Sequence, residues 1–216
     1  MALPTHTSLQ NRLYFPAFAE LPQADELDVN YFTEQPNGMV LPNRTWTFFG
    51  EIVGDSLSQL SVLGHRVEVR DVTGSVHSIL FFPTSGSLDI SGLRTGHTVF
   101  VRYAMRCFFS DLATEAIKVE ELNFVKVIPT NLDTLLFTAS LYFDRQSHCA
   151  ACGSSVAALG GAVPRCERCQ AAVYCSPGCR AANAPTHGTF CGLCCELGEV
   201  FNLSMDTFIE WVPFRK

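Results

Sequence analysis

Nine of the ten cysteines fall in the 47 residues from Cys149 to Cys195, and only Cys107 lies outside. Read with the histidine among them, they run Cys149-x2-Cys152-x13-Cys166-x2-Cys169-x5-Cys175-x3-Cys179-x7-His187-x3-Cys191. Thiolate and imidazole are the donors that zinc takes. A Cys-x2-Cys pair bends into a knuckle with both thiolates on one ion, and a Cys-x3-Cys or His-x3-Cys pair does the same across one helical turn. Four such pairs supply eight ligands, which fill two tetrahedral sites and leave no position for water. Closed sites of that kind are structural. One site must then hold four cysteines and the other three cysteines and the histidine. Sequential pairing would put Cys149, Cys152, Cys166 and Cys169 on one ion. Interleaved pairing would put Cys149, Cys152, Cys175 and Cys179 on one, and Cys166, Cys169, His187 and Cys191 on the other. Loop-closure entropy separates these by only a few tenths of a kcal/mol per closure, so spacing leaves both open.

The remaining candidates have plainer readings. His148 sits beside Cys149 and reads as a solvent-exposed neighbour, because the eight-ligand set is complete without it. Cys194 and Cys195 follow the last ligand by three and four residues and read as buried small hydrophobes. A disulfide framework is the alternative use of such a cluster. Met1–Leu13 shows no basic head followed by an apolar stretch, so the expectation is an intracellular, reducing setting and metal. No Gly-rich phosphate loop, Gly-x-Ser-x-Gly elbow or His-Glu-x-x-His is present, and no catalytic residue is assigned. Asp25, Glu26 and Asp28 form an acidic cluster in a proline-studded arm and read as a solvated face.

The ligand run sits in a recognisable frame: Cys149-Ala150-Ala151-Cys152, Cys166-Glu167-Arg168-Cys169, Val173-Tyr174-Cys175-Ser176-Pro177-Gly178-Cys179 and His187-Gly188-Thr189-Phe190-Cys191. It resembles the MYND-type zinc finger, over about a fifth of the chain. The resemblance implies two zinc ions, the interleaved pairing and a role in protein–protein contact. Three departures stand out. The Cys152–Cys166 gap is longer than usual, Arg180 stands where the family commonly has Gln, and Ala184 stands where it commonly has Trp. Those two positions help line the groove by which some members grip proline-rich peptides, so the zinc frame carries over and that grip does not.

Other elements must hold this frame. Ser176-Pro177 reads as an N-cap followed by the residue best tolerated at the first helical position, opening a short helix that Pro185 would end. Residues 1–44 hold five of the eleven prolines and the turn Pro36-Asn37-Gly38, and read as an extended arm whose Leu13, Tyr14, Phe15 and Phe18 stick to a core. Five strand-like runs follow: Trp46–Val53, Arg66–Arg70, Val76–Phe82, Thr98–Phe109 and Ile117–Ile128, the last interrupted at Glu120-Glu121 as by a bulge. Leu132, Leu135, Leu136 and Ala139 then recur with helical period after the plausible N-cap Asn131. Five strands followed by such a helix resemble an OB-fold over residues 45–130. The expected architecture is α+β: a small antiparallel OB-like β-barrel plus a two-zinc finger with a small helix. Its segments are an arm (1–44), the barrel (45–130), a connecting helix (131–146), the finger (147–195) and a tail (196–216).

Charge bears on partners. The 216 residues carry a formal charge of −6, with sixteen acids against nine bases in residues 1–144. Seven deprotonated thiols and two zinc ions would bring the whole to about −9. Strand alternation puts Phe100, Arg102, Ala104, Arg106 and Phe108 on one face. In an OB-fold such a face binds single strands by stacking and phosphate contact. The acidic balance instead favours a solvated outer face. The longest apolar stretch, Leu135–Phe143, is too short to span a bilayer. The sequence therefore points to a non-enzymatic, zinc-binding protein-interaction module with an unidentified protein partner, in transcriptional or other intracellular regulation; single-stranded nucleic-acid binding is the alternative. Purified under reducing conditions, the chain is expected to hold two zinc ions. Elemental analysis finding one or none in folded protein would contradict the eight-ligand reading.

Overall fold

A computed structural model describes residues 8–54, 58–61, 64–82, 92–157 and 163–214. The chain divides into two compact units: residues 10–132 with 204–216, and residues 1–9 with 133–203.

The first unit is built around two strand runs buried on both faces, Thr47–Ile52 and Thr98–Arg102. Its elements are β1 (Phe32–Glu34), β2 (Val40–Pro42), β3 (Thr47–Ile52), β4 (Ser58–Ser61), β5 (Gly64–Asp71), β6 (Val76–Phe81), β7 (Thr98–Arg102), β8 (Arg106–Phe109), β9 (Thr114–Val119) and β10 (Val125–Ile128). The last eight form one sheet in the order β10-β7-β3-β5-β6-β9-β8, with β4 on β5. Two features correct the expected small antiparallel barrel. The ladder is open rather than closed, and β6 pairs with β9 in parallel.

The reason lies in the run Thr98–Phe109, which is two strands and not one. Tyr103 takes a left-handed conformation, φ +55°, and breaks it. Residues before the break pair with β3 and β10, and residues after it pair with β9. A non-glycine residue in that region costs on the order of 1–3 kcal/mol. Several bonds hold it there. Tyr103 N–H donates to the Trp46 carbonyl (2.9 Å), Trp46 Nε1–H donates to the Ala104 carbonyl (2.7 Å), and the Tyr103 ring lies edge-on to Trp46 at 5.5 Å. The run Ile117–Ile128 is likewise split, into β9 and β10, by a 3-10 turn at Leu122–Phe124.

Of the five residues expected on one solvated or nucleic-acid-binding face, Phe100, Arg102 and Ala104 are buried, Arg106 is half-buried and Phe108 is 68% exposed. Phe100 is buried, stacked on Phe49 at 5.3 Å, and Phe15 meets Phe49 edge-on at 6.0 Å. Arg102 is buried too: its Nη1 donates to the Val212 and Pro213 carbonyls (2.9 and 2.8 Å), and its guanidinium lies 3.7 Å from the centre of the Phe214 ring. Alternation holds for Phe100 and Arg102 within β7, and the break at Tyr103 interrupts it before Arg106 and Phe108. Local alternation could not report that residues from both ends of the chain lie over that face.

Those end segments are parts of the unit. Phe15, Phe18, Leu21 and Tyr31 are buried, and β1 and β2 form a separate two-stranded sheet. The stretch 204–214 runs as a strap: Thr45 N–H donates to the Met205 carbonyl, Phe214 N–H donates to the Asn123 carbonyl, and Trp211 packs edge-on to Tyr103 at 4.6 Å. Asp71 fastens the arm to the β5–β6 turn. Its carboxylate accepts from Phe18 N–H (3.1 Å) and from the N–H and hydroxyl of Thr73 (2.8 and 2.6 Å), while Gly74 supplies the positive φ of +86° that the turn requires.

The second unit contains α1 (Leu132–Tyr142), which begins at its boundary, and α2 (Pro177–Phe201). No helix among the described residues is long and apolar enough to cross a membrane.

Burial alone would raise the Asp71 pKa, but the Thr73 hydroxyl, the Phe18 and Thr73 amides and nearby His77 together hold it below the ordinary carboxylate value. A lowered folded-state pKa adds stability that is present above the unfolded value of about 3.9 and is lost as pH falls through the folded one. Asp71→Asn is therefore expected to destabilise the first unit by about 2 kcal/mol near neutral pH. In urea titrations the gap from wild type should persist at pH 5 and close below about pH 4. A gap independent of pH across that window would show that the charge is not the stabilising element.

Candidate metal centre

Two knuckles of the same construction open the site. In the first, Gly153 N–H donates back to the Cys149 carbonyl (2.8 Å) and Gly153 takes φ +72°. In the second, Gln170 N–H donates back to the Cys166 carbonyl (2.9 Å) and Gln170 takes φ +59°. The residue after the second cysteine thus turns left-handed in both. Glycine adopts this without strain, whereas glutamine must be held. Arg165 Nη1 bonds the Gln170 carbonyl (2.9 Å), and Gln170 Nε2 bonds the Glu167 carbonyl (3.0 Å).

The other four ligands come from the Cys175 turn and α2. Ser176 Oγ accepts from Cys179 N–H (3.1 Å) and caps the helix, with Pro177 in its first turn. The expected stop at Pro185 is corrected: α2 runs through it for 25 residues to Phe201. An interior proline costs about 3 kcal/mol. Beyond it, however, His187, Cys191, Cys194, Leu197, Val200 and Phe201 are all buried. Stopping at Pro185 would lose two ligands and that apolar face.

The donors form two groups, Cys149, Cys152, Cys175 and Cys179, and Cys166, Cys169, His187 and Cys191. Within each, all four ligand atoms lie within 4.8 Å of one another. This is the interleaved arrangement. Sulfur separations are 3.6 Å for Cys152–Cys175, 3.4 Å for Cys175–Cys179 and 3.7 Å for Cys166–Cys191, and Cys169 Sγ lies 3.4 Å from His187 Nε2. Two thiolates bound to one zinc at about 2.3 Å lie roughly 3.8 Å apart across a tetrahedral edge. The donor set and its spacing fit one zinc ion in each group.

Within each group the thiols are shifted in opposite directions. Burial would raise the Cys149 pKa, but backbone N–H groups of Cys152, Cys175 and Ala151 bring it down to about 6. Cys169 is held down to about 4, first by a hydrogen bond from Cys194 and then, against burial, by the Ala171 and Ala172 amides. Cys175 is pushed up to about 12 by its contacts with Cys179, Cys152 and Cys149. Cys191 is pushed up to about 12 by burial and by Cys166 and Cys169. Cys152 is also held below the ordinary thiol value, by the Ser154 hydroxyl and backbone, so each group mixes thiols that ionise readily with one that resists. A dication between them removes that resistance.

Several supporting residues gave no signal in the sequence. Gln146 donates to the carbonyls of Ala171 (2.7 Å) and Tyr142, and Arg165 Nη1 donates to Gln146 Oε1 (2.6 Å). The His187 ring meets Tyr142 edge-on at 5.0 Å, and its Nδ1 is buried without a hydrogen-bond partner among the described residues. Packing therefore orients that ligand, where metal-bound histidines usually rely on an acceptor. His148 is exposed with its Nδ1 beside Ser147 Oγ (3.0 Å), and it joins neither group. Cys194 is buried and Cys195 half-buried, also outside both groups, and Cys107 lies on β8. Val156, Val173 and Tyr174 of the finger are buried.

Eight donors in two closed, cross-braced groups define a two-zinc finger whose metals are structural. Residues 149–191 match the family model of the MYND finger. A solved structure, the S. pombe Stn1-ten1 complex, is similar at 14% identity and a TM-score of 0.32, over 58% of this chain and 82% of that one. A search of curated proteins finds no match.

Tyr142 of α1 is buried in one apolar cluster with Cys149, Val173, Tyr174 and Cys194, so the metals hold more than the finger itself. Structural zinc supplies on the order of ten kcal/mol per site in comparable peptides. Chelation is expected to abolish amide protection in residues 149–191 and in α1, while β3 and β5–β10 keep theirs by hydrogen exchange. Simultaneous loss in both units would show that they fold as one.

Proposed function

We propose that the chain is a non-enzymatic protein–protein interaction module in which zinc fixes the shape of a recognition surface. The observation that carries this reading is the completeness of the two donor groups. Each already offers four ligands, so a bound zinc would have no open position at which to activate water or polarise a substrate. The metal's work is then conformational, and the surface it holds is what a partner meets. The match to the MYND finger supports this reading.

The finger's surface differs from the peptide-gripping form at two places. Arg180 is exposed and paired with Glu167 (2.7 Å), and Ala184 is exposed. A charged pair and a methyl group favour a polar partner surface over a proline-rich segment. The sheet unit we read as an OB-like scaffold, partly open as that fold commonly is. The burial of Phe100 and Arg102 weighs against the stacking and phosphate contacts considered for a single strand, although Phe108 stays exposed. Regulation inside the cell, transcriptional or other, is the setting this reading fits.

The test is an affinity-proteomics comparison of the full chain with Cys175→Ser and with Glu167→Arg/Arg180→Glu. The first variant should lose its partners together with one zinc ion. The second keeps both metals and should change which partners bind. Recovery of the same partners by all three would show that the finger is not the recognition surface.

A further inference from the structure

The two donor groups are built alike and covered differently. Their knuckles share one backbone turn, yet Cys152, the second cysteine of the first knuckle, is exposed, whereas its counterpart Cys169 is buried. Of the ten cysteines, all of them described, Cys152 alone is exposed.

The neighbouring side chains explain the contrast. Ala151, Cys152, Gly153, Ser154 and Ser155 form an unbroken exposed run of small residues, none long enough to fold back over a sulfur. The Cys152 sulfur has the Ser154 hydroxyl at 3.4 Å and Cys175 Sγ at 3.6 Å. Cys169 instead lies in one apolar cluster with Tyr142, Cys191 and Cys194, with His187 Nε2 at 3.4 Å from its sulfur. On that side α2 supplies the cover: Cys194 is buried, and Cys195 Sγ reaches the Arg168 carbonyl at 3.8 Å.

Charge runs the same way. With zinc bound, four thiolates leave the first group at about −2, whereas three thiolates and a neutral imidazole leave the second at about −1. The ion keeps a coordinating thiol deprotonated, and the thiolate is the nucleophile in cysteine chemistry. Cys152 therefore combines anionic character and open access on one sulfur. The cysteines outside both groups do not: Cys194 is buried, Cys107 and Cys195 are half-buried, and burial pushes the Cys107 thiol up.

We propose that the first donor group is a modification site as well as a zinc site, with Cys152 Sγ reacting with electrophiles of the α,β-unsaturated carbonyl class, while the second group stays as the permanent brace. The thiolate lone pair forms a bond to the β-carbon of the conjugated alkene. The π pair moves to the carbonyl oxygen as an enolate, and water protonates the α-carbon. The product is a neutral thioether, a poorer zinc ligand than the thiolate it replaces. The first ion, left with three thiolates, is then lost to a competing chelator, while Cys166, Cys169, His187 and Cys191 keep theirs. This chemistry is independent of the partner that the finger meets.

The test adds N-ethylmaleimide stepwise to the zinc-loaded full chain, without reductant and with a chromogenic zinc chelator present, and quantifies each labelled cysteine by mass spectrometry. Cys152 should be labelled first, and zinc should reach the chelator in step with that label until about one ion per chain is released. Cys166, Cys169 and Cys191 should react about tenfold more slowly or less. Cys152→His gives the first group the donor types of the second; it should keep both ions and release the first about tenfold more slowly. The order of labelling in the wild-type chain decides the matter even where that variant loses an ion. First labelling at any other cysteine, release of both ions together, labelling of Cys152 without zinc release, or a zinc-loaded Cys152→His chain that releases as fast as wild type would each overturn the proposal.

Discussion

Thiols confined within 4.8 Å of one another repel as soon as more than one is ionised, and the C-terminal unit holds two such clusters of donors. A dication in each converts that repulsion into the strongest attraction in the unit. The interleaved pairing gives this local interaction its long reach. One cluster is closed by Cys175 and Cys179, which lie between the knuckle and the histidine of the other. Neither ion can leave without freeing a loop that frames its neighbour. Features that look unfavourable alone become intelligible on that frame: the left-handed Gln170, the proline inside α2 and the His187 Nδ1 without a partner. Each costs something locally, and coordination together with burial of Tyr142, Val173, Tyr174 and Cys194 outweighs it.

The sheet unit depends on a different constraint, the left-handed turn at Tyr103. It lets one stretch of chain serve β3 and β10 on one side and β9 on the other. The aromatic side chains around it, Trp46, Phe124, Phe208 and Trp211, come from segments far apart in sequence. Arg102 beside it donates from Nη1 to two carbonyls of the strap. A buried guanidinium needs such partners, and losing them would cost more than an exposed arginine ever contributes. The strap at 204–214 is thus part of the first unit's core although it follows the second unit in the chain.

The ligand run was legible because metal chemistry is written in residue type and short spacing. Cys-x2-Cys and His-x3-Cys mean the same thing in any fold, since a knuckle or a helical turn sets their reach. The strand positions of β3, β5 and β6 and the start of α2 at Ser176-Pro177 were legible for the same reason: alternation and capping are local. Which pairs share an ion was not written in the spacing, because loop entropy barely distinguishes the two arrangements; the resemblance to the MYND finger implied the interleaved form, and the positions of the donors in space bear it out. Only the tertiary structure decided the passage of α2 through Pro185, the break at Tyr103, the open ladder with its parallel pair, and the burial of Phe100 and Arg102. In each, a local preference is overruled by contacts between residues tens to more than a hundred positions apart, and no window along the chain contains both partners.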